Sequence, residues 1–228
     1  AFRAMMDWTV RSGIVQTNVL RKIRQRDLGL RQPAYRLRWL EQAEWDALMD
    51  VSKNDPFMQD AMIFAASTGL RWENQFRLTR DRLFLEKREV FIPAKDYKTW
   101  HNLILPIDQD AIDAAKRRLA YIKTAERAHQ GWFVFGYVDK FDKCLRPYFE
   151  VPTRFAKLLA KAGIKDFRWH DFRHHRACML VQNGVDLLPT KDLMGHASVK
   201  TTLRYAALKN QNLHEIVNSH REKINAAR

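Results

Sequence analysis

The densest run of chemically capable side chains is His170-Asp171-Phe172-Arg173-His174-His175. His170 and His174, four apart, share one face of a helix and could ligate a metal. A zinc peptidase pattern needs Glu beside the first His, and here Asp171 stands there, with Arg173 as a fixed cation close by. A plainer reading has these groups cap and solvate a helix start. The third is oxyanion recognition, with Arg as a rigid two-pronged donor and His beside it. Three more features lie apart in the chain. Thr68-Gly69-Leu70-Arg71 puts an arginine at a helix junction. Lys98 lies in a turn eight residues before Pro106. Leu193-Met194-Gly195-His196 is followed nine residues later by Tyr205, in Thr201-Thr202-Leu203-Arg204-Tyr205. Taken singly, each has an ordinary role: a helical tyrosine packs, and a His after Gly serves a helix end.

The surrounding pattern supplies mostly helices. Phe2–Val10 reads as the end of one. Glu41–Val51 carries Trp45, Leu48 and Met49 at helical spacing. Asp55-Pro56 is a cap followed by Pro at the first helical position, and 57–66 is apolar nearly all round, the mark of a buried helix that Gly69 can end. A short helix is expected from Arg71 to Thr79. The period then shortens. Runs 82–85, 90–93 and 102–107 predict a three-stranded antiparallel meander, with Lys98 in its second connection. Asp108 caps a helix running to about His129, and 131–138 has no clear period. Further helices are expected over 148–162, 170–183 and 186–194, closed by Gly163, Gly184 and Gly195, and then over 199–208 and 210–225. The last has Leu213, Ile216, Val217 and Ile224 on one face, suited to packing on its own domain or on a neighbour.

Together the four features resemble the catalytic domain of the tyrosine recombinases, the phage integrase family. Its first arginine sits in a Thr-Gly-Leu-Arg turn, matched by Arg71. Its lysine lies on a β-hairpin eight residues before a closing Pro, matched by Lys98; Lys95, in the same turn, has the wrong spacing by three. The box His-x-x-Arg-His is matched by His170, Arg173 and His174, with His170 and Arg173 the catalytic positions. The Gly-His pair is Gly195-His196, and the nucleophile position is Tyr205. The resemblance covers about residues 34–210. One departure is Asn74, three after Arg71, where the family commonly has an acid that supports the arginine; Glu73 lies one earlier.

The resemblance implies an α+β, mainly α-helical fold with a small three-stranded antiparallel sheet, and DNA strand exchange through a 3′-phosphotyrosyl intermediate at Tyr205. A tyrosine hydroxyl ionises near pH 10 in water, so it needs a base or strong electrostatic help. Arg71 and Arg173 would clamp the non-bridging oxygens and His196 would add a hydrogen bond. His170 would act as base toward Tyr205, or as acid in reverse, and Lys98 would protonate the leaving 5′ oxygen. The resemblance implies no metal and no cofactor, since the guanidiniums carry the charge work, and a homotetramer on synapsed double-stranded attachment sites. A type IB topoisomerase or telomere resolvase shares much of this chemistry. A catalytically silent DNA-binding module is the non-enzymatic alternative.

Composition agrees with a polyanionic partner. The 228 residues carry 40 Lys+Arg against 26 Asp+Glu, a formal charge of +14. Hydrophobic residues at 46% exclude wholesale disorder. No apolar run approaches 18 residues and no signal-peptide pattern opens the chain, so a cytoplasmic, DNA-associated protein is expected, without a membrane. Two cysteines, Cys144 and Cys178, are too few for a disulfide scaffold. Basic residues crowd at Arg21, Lys22, Arg24, Arg26, Arg31, Arg36 and Arg38, opposed only by Asp27. With Gly29 and Pro33 inside it, this stretch reads as a linker able to cross a DNA backbone. Residues 1–33 are therefore expected to be the end of a core-binding domain plus linker, and 34–228 the catalytic domain with a C-terminal helix.

Overall fold

A computed structural model describes residues 2–23, 37–98, 101–124, 133–138, 145–147 and 151–209. The chain divides into two compact units, Ala1–Arg36 and Leu37–Arg228. In the first, helix α1 (Phe2–Arg11) is followed by a 3-10 turn over Val19–Arg21. Asn18 caps that turn by accepting from the Leu20 amide, and Asp7 receives both Asn18 Nδ2 at 2.7 Å and Arg21 Nε at 2.8 Å.

The second unit opens with α2 (Gln42–Val51), started by a reciprocal capping box between Glu41 and Glu44. Helix α3 (Pro56–Thr68) begins with Asp55 accepting from the Met58 amide and ends at Gly69, whose left-handed φ of 62° closes it. A Cβ at Gly69 would stand 2.7 Å from the Met194 methyl, so bulk as well as backbone favours glycine there. After α4 (Trp72–Phe76), strands β1 (Leu83–Phe84), β2 (Glu89–Ile92) and β3 (Leu103–Pro106) form the expected antiparallel sheet in the order β1-β2-β3. Val90 faces Leu105 and Ile92 faces Leu103, so alternate apolar side chains point into the core.

Helix α5 (Gln109–Thr124), with Asp108 accepting from the Ala111 amide, packs along α3. Its predicted extension to His129 lies outside the described residues. The stretch without a clear period holds a second, two-stranded sheet, β4 (Gly136–Val138) with β5 (Leu145–Pro147). Three-residue strands are too short to show alternation, so the sequence could not announce them. Helices α6 (Val151–Lys161), α7 (Asp171–Gln182) and α8 (Leu187–Leu193) follow close to expectation. The helix predicted over 199–208 is instead broken into α9 (Val199–Thr202), a 3-10 turn at Leu203–Tyr205 and α10 (Ala206–Lys209). Residues 210–225 lie outside the described part. No helix among the described residues is long and apolar enough to cross a membrane.

The core is strongly aromatic where it supports α7. Trp169 lies 5.3 Å from Phe76, 5.1 Å from Phe155 and 5.3 Å from Phe172, ring centre to ring centre, and Phe167 lies 5.1 Å from Phe172. Edge-on and tilted rings of this kind fix position better than aliphatic packing. They surround the first turn of α7, where His170 and Arg173 emerge. A separate small cluster, Ala177, Cys178, Val181, Met194, Tyr205 and Leu208, holds the segment carrying Tyr205 and Leu208 onto that helix. Burial pushes the Cys178 thiol up to about 12, which keeps it inert.

Candidate active site

Arg71 precedes α4 at the junction that Gly69 creates. Its guanidinium lies over the Tyr97 ring, 4.6 Å from the centroid, and its Nη1 is buried without a hydrogen-bond partner. Arg173 rises from α7 and is 5% exposed. Its Nη1 donates to the Gly69 carbonyl at 2.8 Å and its Nη2 to the Met194 carbonyl. Two helix ends, α3 and α8, thus supply the oxygens that aim this side chain. Burial lowers the Arg173 pKa, and the positive charge of Arg71 lowers it further. Among the described residues neither guanidinium has a carboxylate partner. A buried cation beside a half-buried one, neither facing a carboxylate, is costly, and an anion between them relieves that cost.

Three imidazoles complete the floor. His196 is 8% exposed, its Nδ1 2.9 Å from Thr202 Oγ1. Burial and then Arg173 push it down to about 3. His170 meets His174 edge to face at 5.4 Å, and burial, with Arg173 next in effect, lowers its pKa. His174 Nδ1 is 2.6 Å from the Tyr205 hydroxyl, and burial followed by His170 brings it to about 4. All three are therefore uncharged at neutral pH. Tyr205 itself is 1% exposed, seated in the small cluster. The expectation placed His170 as the group acting on Tyr205; the histidine in contact with the hydroxyl is His174. The sequence signal was present in the four-residue spacing of the pair, but spacing alone does not say which ring faces the tyrosine.

Tyr97 is the residue that sequence reasoning missed. Its hydroxyl donates to the Gly195 carbonyl at 2.7 Å, while its ring carries Arg71. It therefore ties the β2–β3 connection to both the first arginine and the Gly-His pair. A Cβ on Gly195 would stand 2.2 Å from that hydroxyl, and the residue has φ of 57°, so glycine is required twice over. Lys98 follows directly and is exposed. Asn74, the departure from the family pattern, is buried and donates to the Asp96 carbonyl at 2.8 Å, so it braces the Lys98 connection rather than Arg71. Arg82 adds an ion pair to Asp96 at 2.7 Å. Tyr97→Phe keeps the ring under Arg71 and removes the tie to Gly195. Single-turnover DNA cleavage is expected to slow by about fivefold, the worth of one hydrogen bond of about 1 kcal/mol, with Tm lower by a few degrees.

The basic residues near the start are dispersed in their roles. Arg21 pairs with Asp7, and Lys22 is exposed. Arg38 donates to Glu44 at 2.8 Å and lies over the Phe167 ring, so it has a structural tie as well as charge. Arg24, Arg26, Arg31 and Arg36 lie outside the described residues.

The buried histidines also set a pH response. His174 and His175 are held at about 4 and His196 at about 3, against an ordinary value of 6.5. For His175 burial is the main cause, with Arg176 second. Below pH 6.5 the unfolded chain binds more protons than the folded one, so stability is full above that value and falls as pH drops toward 4. Thermal melts should show Tm lower by about 5 °C or more at pH 4.5 than at pH 7.

The family model described as "Phage integrase family" matches residues 38–212. The integrase of Salmonella phage P22 is 29% identical over 188 residues, which cover 79% of this chain and 46% of that protein. The tyrosine recombinase XerD of Lacticaseibacillus casei is 29% identical over 223 residues, 93% of this chain and 71% of its own length. Among solved structures, XerA recombinase superposes with a TM-score of 0.66 at 21% identity, covering 84% of this chain and 66% of that one. The Tn1549 transposon integrase in complex with circular intermediate DNA gives 0.64 at 19% identity, covering 89% and 71%. The folded unit has the architecture of a tyrosine recombinase catalytic domain. The chain belongs to the phage integrase family, and it spans about half the length of the P22 integrase.

Proposed function

We propose that this chain is a site-specific DNA recombinase that cuts and rejoins double-stranded attachment sites through a 3′-phosphotyrosyl link at Tyr205. One observation carries the reading: two guanidiniums without carboxylate partners among the described residues and a neutral His196 converge beside a tyrosine hydroxyl already engaged by an imidazole. A scissile phosphodiester fits the cationic pair, with Arg71 and Arg173 on its non-bridging oxygens and His196 as a further donor. Tyr205 attacks phosphorus, and Lys98 gives a proton to the departing 5′ oxygen. His170 lines the same floor. The ester is conserved in the link to tyrosine, so rejoining needs no external energy source.

The DNA partner is supported by the net charge of +14 and by relatives such as the Tn1549 integrase, solved with circular intermediate DNA. Assembly as a homotetramer on synapsed DNA is part of the proposal, as is a backbone-crossing role for the basic residues between Arg21 and Arg38. The test is a library of nicked duplexes with randomised sequence around the nick, incubated with the full chain. A covalent adduct on a denaturing gel, enriched for one sequence, is expected. No adduct, with metal-dependent hydrolysis or site-independent plasmid relaxation instead, would overturn the reading. On the selected duplex, Lys98→Ala should cleave about 10² to 10³-fold more slowly, and a 5′-thio leaving group, which needs no proton, should restore the rate.

A further inference from the structure

We propose that His174, rather than His170, takes the proton from Tyr205 as that hydroxyl attacks the phosphate. The inference rests on the recombinase reading and assigns one further catalytic residue within it. The geometry is specific. His174 Nδ1 lies 2.6 Å from the Tyr205 hydroxyl, a short hydrogen bond between two side chains on different elements. α7 delivers the imidazole, and the 3-10 turn over Leu203–Tyr205 delivers the phenol. Had 199–208 continued as a regular α-helix, its wider turn of about 3.6 rather than 3.0 residues would have set Tyr205 at another angle. His170 reaches His174 edge to face at 5.4 Å between ring centres, one ring further along.

The charge state fits. His174 is half-buried, and the groups around it are His170, Asp171 and Arg173 from α7 and Arg204 from the 3-10 turn. Burial, with His170 next in effect, holds it neutral at pH 7, so Nδ1 can offer a lone pair to the O–H. A phosphodiester seated between Arg71 and Arg173 brings negative charge beside the same cluster. That charge favours the imidazolium, so His174 gains basicity when substrate is in place.

The Tyr205 O–H bond breaks and its proton goes to His174 Nδ1. The phenolic oxygen forms its bond to phosphorus as the bond from phosphorus to the 5′ oxygen breaks. The 5′ oxygen takes its proton from Lys98. Rejoining reverses each transfer: the 5′ hydroxyl returns a proton to Lys98, and His174 returns one to Tyr205.

The experiment uses the full chain on the nicked duplex selected by adduct formation. His174→Ala and His174→Asn are compared, the second because its side-chain oxygen can still accept the tyrosine hydrogen bond while being far less basic. Both are also prepared with a fluorinated tyrosine at position 205, whose phenol is more acidic. We expect each variant to cleave about 10²-fold more slowly. The fluorinated residue should return most of that loss, while giving no such rescue to His196→Ala. Full activity in His174→Asn would make the histidine a positioning group and overturn the proposal. Unchanged or faster cleavage by His174→Ala would make it a restraint on a buried tyrosine, with the same consequence. Failure of the underlying reading looks different, since the unsubstituted chain would then form no adduct or Tyr205→Phe would form one.

Discussion

Tyr205→Phe will fold, bind DNA and form no covalent adduct. The ring is 1% exposed within a cluster of Ala177, Cys178, Val181, Met194 and Leu208, and phenylalanine keeps that packing. The loss is one hydroxyl and its hydrogen bond to His174 Nδ1. Leaving that buried acceptor unpaired costs about 1 kcal/mol, or a few degrees in Tm for a domain of this size. The chemical cost is of another order. Among the described residues no other hydroxyl occupies the matched motif position, so adduct formation should fall by at least about 10⁴-fold, as when nucleophiles are deleted elsewhere. Gel shift under native conditions and a denaturing gel for the covalent species separate the two effects. A surviving covalent species would remove Tyr205 from its role.

Arg173→Lys is expected to be nearly as severe, and for two separable reasons. The guanidinium spans two carbonyls, Gly69 at the end of α3 and Met194 at the end of α8, and in the proposed reaction it also holds the phosphate. An ammonium is a single point donor and cannot hold both carbonyls and present a flat pair of N–H groups. One buried carbonyl is left unsatisfied, which costs about 1–3 kcal/mol and lowers Tm by about 3–10 °C. Cleavage should fall by about 10² to 10³-fold from lost stabilisation of charge on phosphorus. Arg71→Lys serves as the comparison. Arg71 gives up the face of Tyr97 rather than two backbone oxygens, so it should lose similar activity with a smaller fall in Tm. Equal stability losses in the two variants would contradict the bracing assigned to Arg173.

The parts of the fold that were legible in the sequence are those where local signals and packing agree. Asp55-Pro56 and Gly69 bracket α3 because cap, N1 proline and left-handed terminus each act within a few residues. The meander was legible because its strands alternate against one core face. Two things were not. The strands β4 and β5 are too short to carry a period, and the break at Leu203 depends on tertiary contact: Thr202 engages His196 and Tyr205 engages His174. Local propensity favours continuing that helix. The six positions matched to the family motif could be picked out because their residue types are rare at that order and spacing. Tyr97 was not, since a tyrosine beside a lysine says nothing until the chain has brought Gly195 and Arg71 to it.

The two hydrophobic clusters are separate, and that separation has a thermodynamic meaning. Arg71 and the first turn of α7 are underpinned by the large aromatic core, whereas Tyr205 is anchored by five other buried residues of the small cluster. Buried apolar area sets how much free energy a segment needs to detach, so residues 199–209 can open at a cost well below that of unfolding the domain. The proposed phosphate clamp and the proposed nucleophile therefore belong to two cooperative units of unequal strength. Trimming Leu208 would loosen the delivery of the tyrosine while leaving the grip on the backbone as it is. In such an enzyme, grasping DNA and committing to cut it are adjustable by different substitutions.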